Sequence, residues 1–461
     1  MPRRGEDRER VAAEGVSDAA RRLEVPLSSA TGYFDKVTAP GDAVTHPSLE
    51  RRLGVTDAVA LGLGAMLGAG VFAAFAPAAA AAGSALVVGL LLAGVIAWCN
   101  ATSSAQLAAQ YPESGGTYVY GRRELGEWWG FVAGWCFVVG KTASCAAMAL
   151  TFAAYAAPGW AKPAALLGVA AITLVTCLGV SRTAAATKVI VVIVVAVLGV
   201  VVLASASGAS SSNPLGEGVT PTVYGVLQSA GILFFAFAGY ARIATLGEEV
   251  RDPKRTIPKA IGIALVLALV IYAVVAVATL AALGPAALAA STAPLADAAA
   301  TGGWPWTTPV VRMGAAIAAL GALLALMAGV TRTELAMARE GDLPRALARV
   351  HAGARVPRVA AVSLGAVVAV LVLFADLRLA IGVSSFGVLL YYLVANLAAL
   401  HQSPQHRRSP RAVQVLGAAG CVVLAATLPW TAAVGAAALV AVGILGRQVT
   451  RAWARRASQQ R

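Results

Sequence analysis

Charge is the first thing this sequence is short of. Only 13% of its 461 residues are Asp, Glu, Lys or Arg, against about a quarter in soluble domains. A chain that poor in charge cannot cover its surface in water alone, because even large folds leave much of themselves exposed. Hydrophobic residues make up 59% and mean hydropathy is +0.75, so the solvent has to include lipid. Cysteine is scarce as well: Cys99, Cys136, Cys145, Cys177 and Cys421 lie in apolar stretches without metal-ligand spacing. They read as buried thiols and imply neither a disulfide framework nor a metal site. The four histidines (His46, His351, His401, His406) fall at or beyond the ends of the apolar runs, which removes a histidine proton relay. The first fifty residues are polar, so a cleavable leader is not expected there. No nucleophile–base pair or metal cluster appears within the apolar runs, so neither a membrane enzyme nor a resident cofactor is expected.

What the sequence has is long apolar runs, each near the ~20 residues that cross a bilayer core. Twelve are expected, at 55–82, 84–108, 128–155, 162–180, 187–206, 222–247, 259–283, 307–330, 357–375, 379–401, 412–429 and 431–447. Pro112–Leu125 is too short and polar to span and reads as an amphipathic interfacial segment. Gly284–Trp306, Ala-rich and interrupted by Pro294, reads as an external helical hairpin. The formal charge of +14 tests this count. With the N-terminus inside and sides alternating, every Lys and Arg falls on the inner side except Lys141, Lys162, Arg242, Arg312 and Arg378. That asymmetry is the positive-inside pattern. It predicts a multi-pass protein of the cell (plasma or inner) membrane with both termini cytoplasmic, and it spreads the basic charge too widely for a nucleic-acid surface.

Span 1 reads G-L-G-A-M-L-G-A-G-V-F from Gly62 to Phe72, and span 6 reads F-F-A-F-A-G-Y-A-R from Phe234 to Arg242. Glycines at this spacing have a structural reading, a small-residue packing face. They also weaken a helix at mid-membrane by roughly 1 kcal/mol each. Interruptions at matching positions in successive five-helix units point to a 5+5 inverted repeat with discontinuous helices 1 and 6 around a central site. The expected organisation is a cytoplasmic tail (1–52), a first repeat (53–206), a second repeat (222–402), helices 11 and 12 (411–447) and a basic tail (448–461). Breaking a helix frees backbone N–H and C=O groups that lipid cannot satisfy. A zwitterionic amino acid can satisfy them, carboxylate to N–H and ammonium to C=O.

Four motifs in order make the resemblance specific. They are G-A-M-L-G-A-G-V-F in span 1, Y-P-E-S-G-G-T-Y-V-Y (Tyr111–Tyr120), F-F-A-F-A-G-Y followed by E-E-V-R-D-P-K-R-T-I-P-K-A-I (Glu248–Ile261), and M-A-R-E-G-D-L-P (Met337–Pro344). Over nearly all of residues 53–447 the chain resembles the amino acid–polyamine–organocation (APC) superfamily of permeases. The resemblance implies that the amides of Gly68, Ala69 and Gly70 receive a substrate carboxylate. The carbonyls of Met66, Phe235 and Ala238 would receive its ammonium. Phe235, Phe237 and Tyr240, flanking Gly239, would line or gate the pocket, although ordinary helix packing accounts for such aromatics too. Two positions depart from the pattern. Ala69 stands where many relatives have serine, and Ala241 stands where they often have an acidic residue.

Span 8 has no Ser, Thr, Asp, Glu, Asn or Gln between Thr308 and Thr331, which leaves no side-chain oxygens for a sodium site. The intramembrane ionisable residues are Lys141, Arg242 and Arg312, and such groups are functional candidates. Arginine does not release a proton whereas lysine can, so Lys141 is the candidate for proton coupling; the competing reading is a structural lysine on a helix-end carbonyl. Glu248 and Glu249 are expected to pair with Arg339 in an inner gate, or else to be solvated loop charges. The function expected is a secondary transporter that imports amino acids by alternating access. Protons would drive it and neutral substrates are favoured. Alternatives are a carrier of cationic amino acids or polyamines, an exchanger, and an amino acid sensor that does not transport. Partners are the amino acid, protons and membrane lipid, with no nucleic acid.

Overall fold

The computed structural model describes residues 53–68, 70–112, 115–179, 184–208, 220–247, 249–351 and 356–459. Among them the backbone is helical almost throughout, and the single extended pairing is a parallel bridge between Leu53 and Val250. Span 1 is divided into α1 (Val55–Met66), α2 (Gly70–Ala73) and α3 (Phe75–Ala82). At Gly83 φ is +56°, a conformation that disfavours a β-carbon, and the chain turns there into α4 (Leu86–Gln110). The short α5 (Thr117–Leu125) precedes α6 (Glu127–Ala156), α7 (Ala161–Cys177) and α8 (Ala184–Gly208). Span 6 comprises α9 (Val223–Phe237), a 3-10 turn (Ala238–Tyr240) and α10 (Ala241–Ala244). There follow α11 (Pro253–Ala290), α12 (Pro294–Ala300), α13 (Thr307–Arg339), α14 (Arg358–Phe374), α15 (Leu377–His401), α16 (Arg411–Thr427) and α17 (Trp430–Gln459).

Ten helices among the described residues are long and apolar enough to cross a membrane. The two other expected spans, α14 and α16, are apolar helices of 17 residues, about one turn short of a full crossing. A helical hairpin is present in the expected stretch: α11 kinks at Gly284, where φ is +72°, and the chain returns through α12. Span 8 runs further than expected. Its helix continues past residue 330 to Arg339 and carries a buried carboxyl, Glu334, into the bundle.

Valines and leucines of α8, α11 and α14 face outward, among them Val192, Leu203, Val266, Val270 and Val370. Such faces need an apolar solvent. Six of the seven exposed tryptophans among the described residues sit near helix ends, with Trp128 and Trp129 at the start of α6 and Trp160, Trp304, Trp306 and Trp430 around the opposite end; Trp98 lies midway along α4. Interfacial aromatic belts have this arrangement. The most enclosed span is α6, 83% buried over its apolar window against 22% for α7. It packs on α13 and α15 and forms the axis of the bundle.

Spans 1 and 6 cross in backbone contact at their interruptions. A β-carbon on Gly70 would lie 2.6 Å from Ala236 Cα, and one on Gly239 would lie 2.5 Å from the Ala65 carbonyl carbon. Each glycine therefore admits the other helix's main chain. Gly239→Ala and Gly70→Ala are each expected to destabilise the fold by ~1–3 kcal/mol through overpacking. A Gly435→Ala control, where a β-carbon meets nothing within 4 Å, should leave thermal unfolding in detergent near the wild-type midpoint.

Candidate functional site

The break in span 1 is local. The Leu67 N–H still closes the last turn of α1 on the Leu63 carbonyl at 2.7 Å, after which Leu67 and Gly68 leave the helix and Gly70 begins α2. Ala69, between them, lies outside the described residues. Gly68 is held against span 8, where its β-carbon would come within 2.5 Å of Ala322 Cβ. Span 6 behaves differently from the expectation of an opened helix. It tightens into the 3-10 turn Ala238–Tyr240 and resumes as α10. A 3-10 turn keeps the main chain compact, which the close crossing at Gly239 requires.

Carbonyl groups at the two interruptions meet side chains. The Tyr272 hydroxyl, from α11, lies 2.7 Å from the Met66 carbonyl oxygen and 3.0 Å from that of Ala236. One phenolic proton thereby serves both spans. Lys141, at the centre of α6, donates from Nζ to the Ala238 carbonyl at 3.3 Å, and the Tyr392 hydroxyl of α15 donates to the same oxygen at 3.4 Å. An ammonium has three donors, and this geometry uses one. The carbonyls of Met66 and Ala238, expected to receive a substrate ammonium, thus have intramolecular partners here. Phe235, Phe237 and Tyr240 are buried around them. Phe237 packs edge-on to Tyr272 at 5.2 Å, and Tyr240 stacks on Tyr392 at 5.0 Å. At the end of the bundle opposite the basic residues, the Tyr155 hydroxyl donates to the Phe72 carbonyl at 2.9 Å and accepts from the Leu295 N–H at 3.2 Å. It ties α6 to span 1 and α12.

Sequence reasoning missed Tyr272, Tyr392 and Tyr155. Their one available signal was a hydroxyl inside an otherwise apolar span, where a buried phenol calls for an acceptor. Arg312, expected near the outer end, donates to the Ala154 and Tyr155 carbonyls at 3.4 and 3.3 Å. It closes the last turn of α6.

At the basic end the gate residues are arranged otherwise than anticipated. Glu248 lies outside the described residues. The Glu249 carbonyl accepts from the Leu53 N–H at 3.1 Å, while Arg339 is exposed and forms no ion pair with Glu249 among the described residues. The buried charge belongs to Asp342, in the same M-A-R-E-G-D-L-P motif. Its carboxylate is fully enclosed, 2.8 Å from Arg447 Nε and 3.4 Å from Arg122, and it accepts from the Tyr118 hydroxyl at 3.0 Å. Arg447 also lies over the Phe131 ring at 4.6 Å. Burial first, then the Asp342 charge, pushes the Tyr118 hydroxyl above its ordinary range, so it stays a donor at neutral pH. Around this core lie more exposed pairs, Arg451–Glu127 at 3.0 Å and Arg122–Glu340 at 3.1 Å.

Two tests follow from burial. Tyr272→Phe leaves two enclosed carbonyls without their donor and is expected to cost ~1–3 kcal/mol; Tyr392→Phe should cost less, since Lys141 still serves Ala238. Asp342→Asn, which removes the carboxylate charge facing Arg447, is expected to cost ~3–5 kcal/mol. Glu340→Gln, in an exposed pair, should cost ~0–1 kcal/mol. Thermal and chemical unfolding in detergent ranks all four.

Comparison with known proteins agrees with this architecture. The family model described as amino acid permease matches residues 57–449. An uncharacterized transporter of Mycobacterium bovis is 56% identical over 89% of this chain and 94% of its own. A chloroplastic cationic amino acid transporter of Arabidopsis thaliana is 29% identical over 84% of this chain and 71% of its own. A branched-chain amino acid permease of Bacillus subtilis is 26% identical over 80% and 84%. The chain belongs to the amino acid permease family, within the APC superfamily.

Proposed function

We propose that this permease carries neutral amino acids across the cytoplasmic membrane by alternating access, with proton movement coupled through Lys141. The observation that carries the reading is the Lys141 ammonium on the Ala238 carbonyl, beside the crossing of the two interrupted spans. A substrate ammonium seeking that carbonyl competes with a charge of its own sign. Two unit charges a few ångströms apart repel strongly in a low-dielectric interior, so occupancy by one disfavours the other. Lysine resolves the conflict by releasing its proton, which arginine cannot do. Lys141, alternately charged and neutral, thus takes the place of a bound cation in the cycle. The substrate carboxylate would take the amides of Gly68, Ala69 and Gly70.

The same charge argues for neutral over cationic substrates. No acidic side chain stands among the pocket residues Met66, Gly68, Ala69, Gly70, Phe235, Phe237, Ala238, Gly239 and Tyr240. The names of the Arabidopsis and Bacillus relatives support one class each, cationic and branched-chain. The second reading, a cationic amino acid carrier or exchanger, therefore keeps a place in the test. In this proposal the two interrupted spans head inverted repeats covering 53–206 and 222–402, and the basic end, where Asp342 and Arg447 meet, faces the cytoplasm.

The experiment is uptake of labelled leucine, alanine, lysine and arginine by the purified chain in liposomes, with and without an acid exterior. Neutral amino acids should accumulate and uptake should rise with the gradient. Lys141→Met should lose that rise while keeping substrate binding in a thermal-shift assay. Lysine or arginine taken up in preference would overturn the substrate class. Gradient dependence unchanged in Lys141→Met would overturn the coupling residue, and binding without uptake would turn the reading to a sensor.

A further inference from the structure

Span 8 carries a charged group that the mechanism above does not use. Glu334 is 7% exposed, and its Oε2 has no hydrogen-bond partner among the described residues. Its place in the bundle is fixed at two levels of the same helix. Ala322 of α13 lies against Gly68 at the span 1 break, and Met337 lies against Gly134 of α6, with Sδ 2.8 Å from where a Gly134 β-carbon would be. Glu334 is twelve residues beyond Ala322, roughly 18 Å along the axis, and nearly one turn before Met337. It therefore stands between the helix crossing and the basic end, enclosed on the route from one to the other.

A carboxylate without water or partner is costly to keep charged, and intramembrane carboxyls mark ion or proton routes. The neighbouring groups have other engagements. On the helices packed against α13, Lys141 is bonded to Ala238, Lys188 of α8 pairs with Asp57 of α1 at 2.5 Å, and Arg358 of α14 donates to the Cys177 carbonyl of α7 at 3.2 Å. The Cys145 thiol of α6 lies within electrostatic reach of Glu334. Lys162 of α7, bonded to the Leu373 carbonyl, and Asp297 of α12, bonded to Ser291, belong to the opposite end. On α13 itself Arg332 is exposed, as is Arg345 in the turn that follows. No fixed cation among these neutralises Glu334.

A metal ion would need a cage of oxygens. Instead, the Thr331 and Thr333 hydroxyls donate back to the Met327 and Gly329 carbonyls, and no group of three or more His, Cys, Asp or Glu side chains is assembled among the described residues. A proton needs one carboxyl.

We propose that Glu334 is a proton-binding site on the inner half of the pathway, which takes up and releases one proton per transport cycle between the helix crossing and the basic end. The inference rests on the transport reading above and adds a second station to it. On uptake a hydronium ion in the path gives up one O–H bond as the carboxyl O–H forms; on release the carboxyl O–H breaks and the proton returns to water at the basic end as the path opens.

The test uses the full chain in liposomes with an entrapped pH dye, comparing wild type, Glu334→Gln and Glu334→Asp. Two modes are read: amino acid uptake driven by an acid exterior, and counterflow of labelled against unlabelled leucine at equal pH. Glu334→Gln is expected to lose gradient-driven accumulation and substrate-induced proton entry by about tenfold or more, while counterflow stays near wild type. Glu334→Asp should retain both, with a displaced pH profile. Three results would overturn the site: gradient-driven uptake and proton entry in Glu334→Gln equal to wild type; equal loss of counterflow and driven uptake, which marks a structural fault; or dependence on a sodium gradient that Glu334→Gln removes. Failure of the wild type to move any amino acid in either mode would instead bring down the transport reading itself.

Discussion

A backbone carbonyl released from a helix inside a membrane protein has no water to turn to, and the centre of this molecule is organised by that constraint. Leaving a buried acceptor unpaired costs a few kcal/mol, so each interruption has to come with a donor from elsewhere in the fold. Span 7 provides Tyr272 for Met66 and Ala236, span 10 provides Tyr392 for Ala238, and span 3 provides Lys141 for Ala238 and Tyr155 for Phe72. Three different helices are thereby referenced to the broken pair. The aromatic contacts of Phe237 with Tyr272 and Tyr240 with Tyr392 fix the rings that hold those hydroxyls in place. A phenol and an ammonium do similar work here, but only the ammonium brings a charge that a substrate must contend with.

The basic end solves a different electrostatic problem. Asp342 is shut away from solvent, where Arg447 and Arg122 surround it and Tyr118 donates to it. Removing charges from water is expensive unless the geometry satisfies them. Here four elements, α5, the turn after α13, the start of α6 and α17, converge to do so. The last helix is thus fastened to the scaffold by a charge pair under an aromatic cover, whereas its first half, with Val434 and Val442 exposed, presents apolar side chains outward.

Much of this was legible in the sequence. Apolar runs of the right length located the helices, Gly284 and Pro294 located the helical hairpin, and the paired glycine motifs located the crossing. Those signals are local: run length, a residue that tolerates positive φ, a missing β-carbon. What was not legible depends on who stands opposite whom. Glycine foretold weakness in span 6 but not that the chain would tighten rather than open, because that follows from the Ala65–Met66 backbone pressed against Gly239. Asp342 stood in a motif already picked out, yet its partner Arg447 lies 105 residues away and read as an ordinary basic residue at a helix end. Glu334 was passed over because the helix continues to Arg339, about two and a half turns beyond where its apolar run weakens.

The pairing of Leu53 with Val250 carries its own consequence. The strand of chain that enters span 1 exchanges two backbone hydrogen bonds, 3.1 and 2.9 Å, with the strand that leaves span 6. On the basic side of the crossing, the arms of these two spans are therefore sewn together like the blades of closed shears, with the glycine contact as pivot. Swinging one arm alone would tear both stitches, so the low-effort motion available to this seam is for the two arms to travel as a single lever.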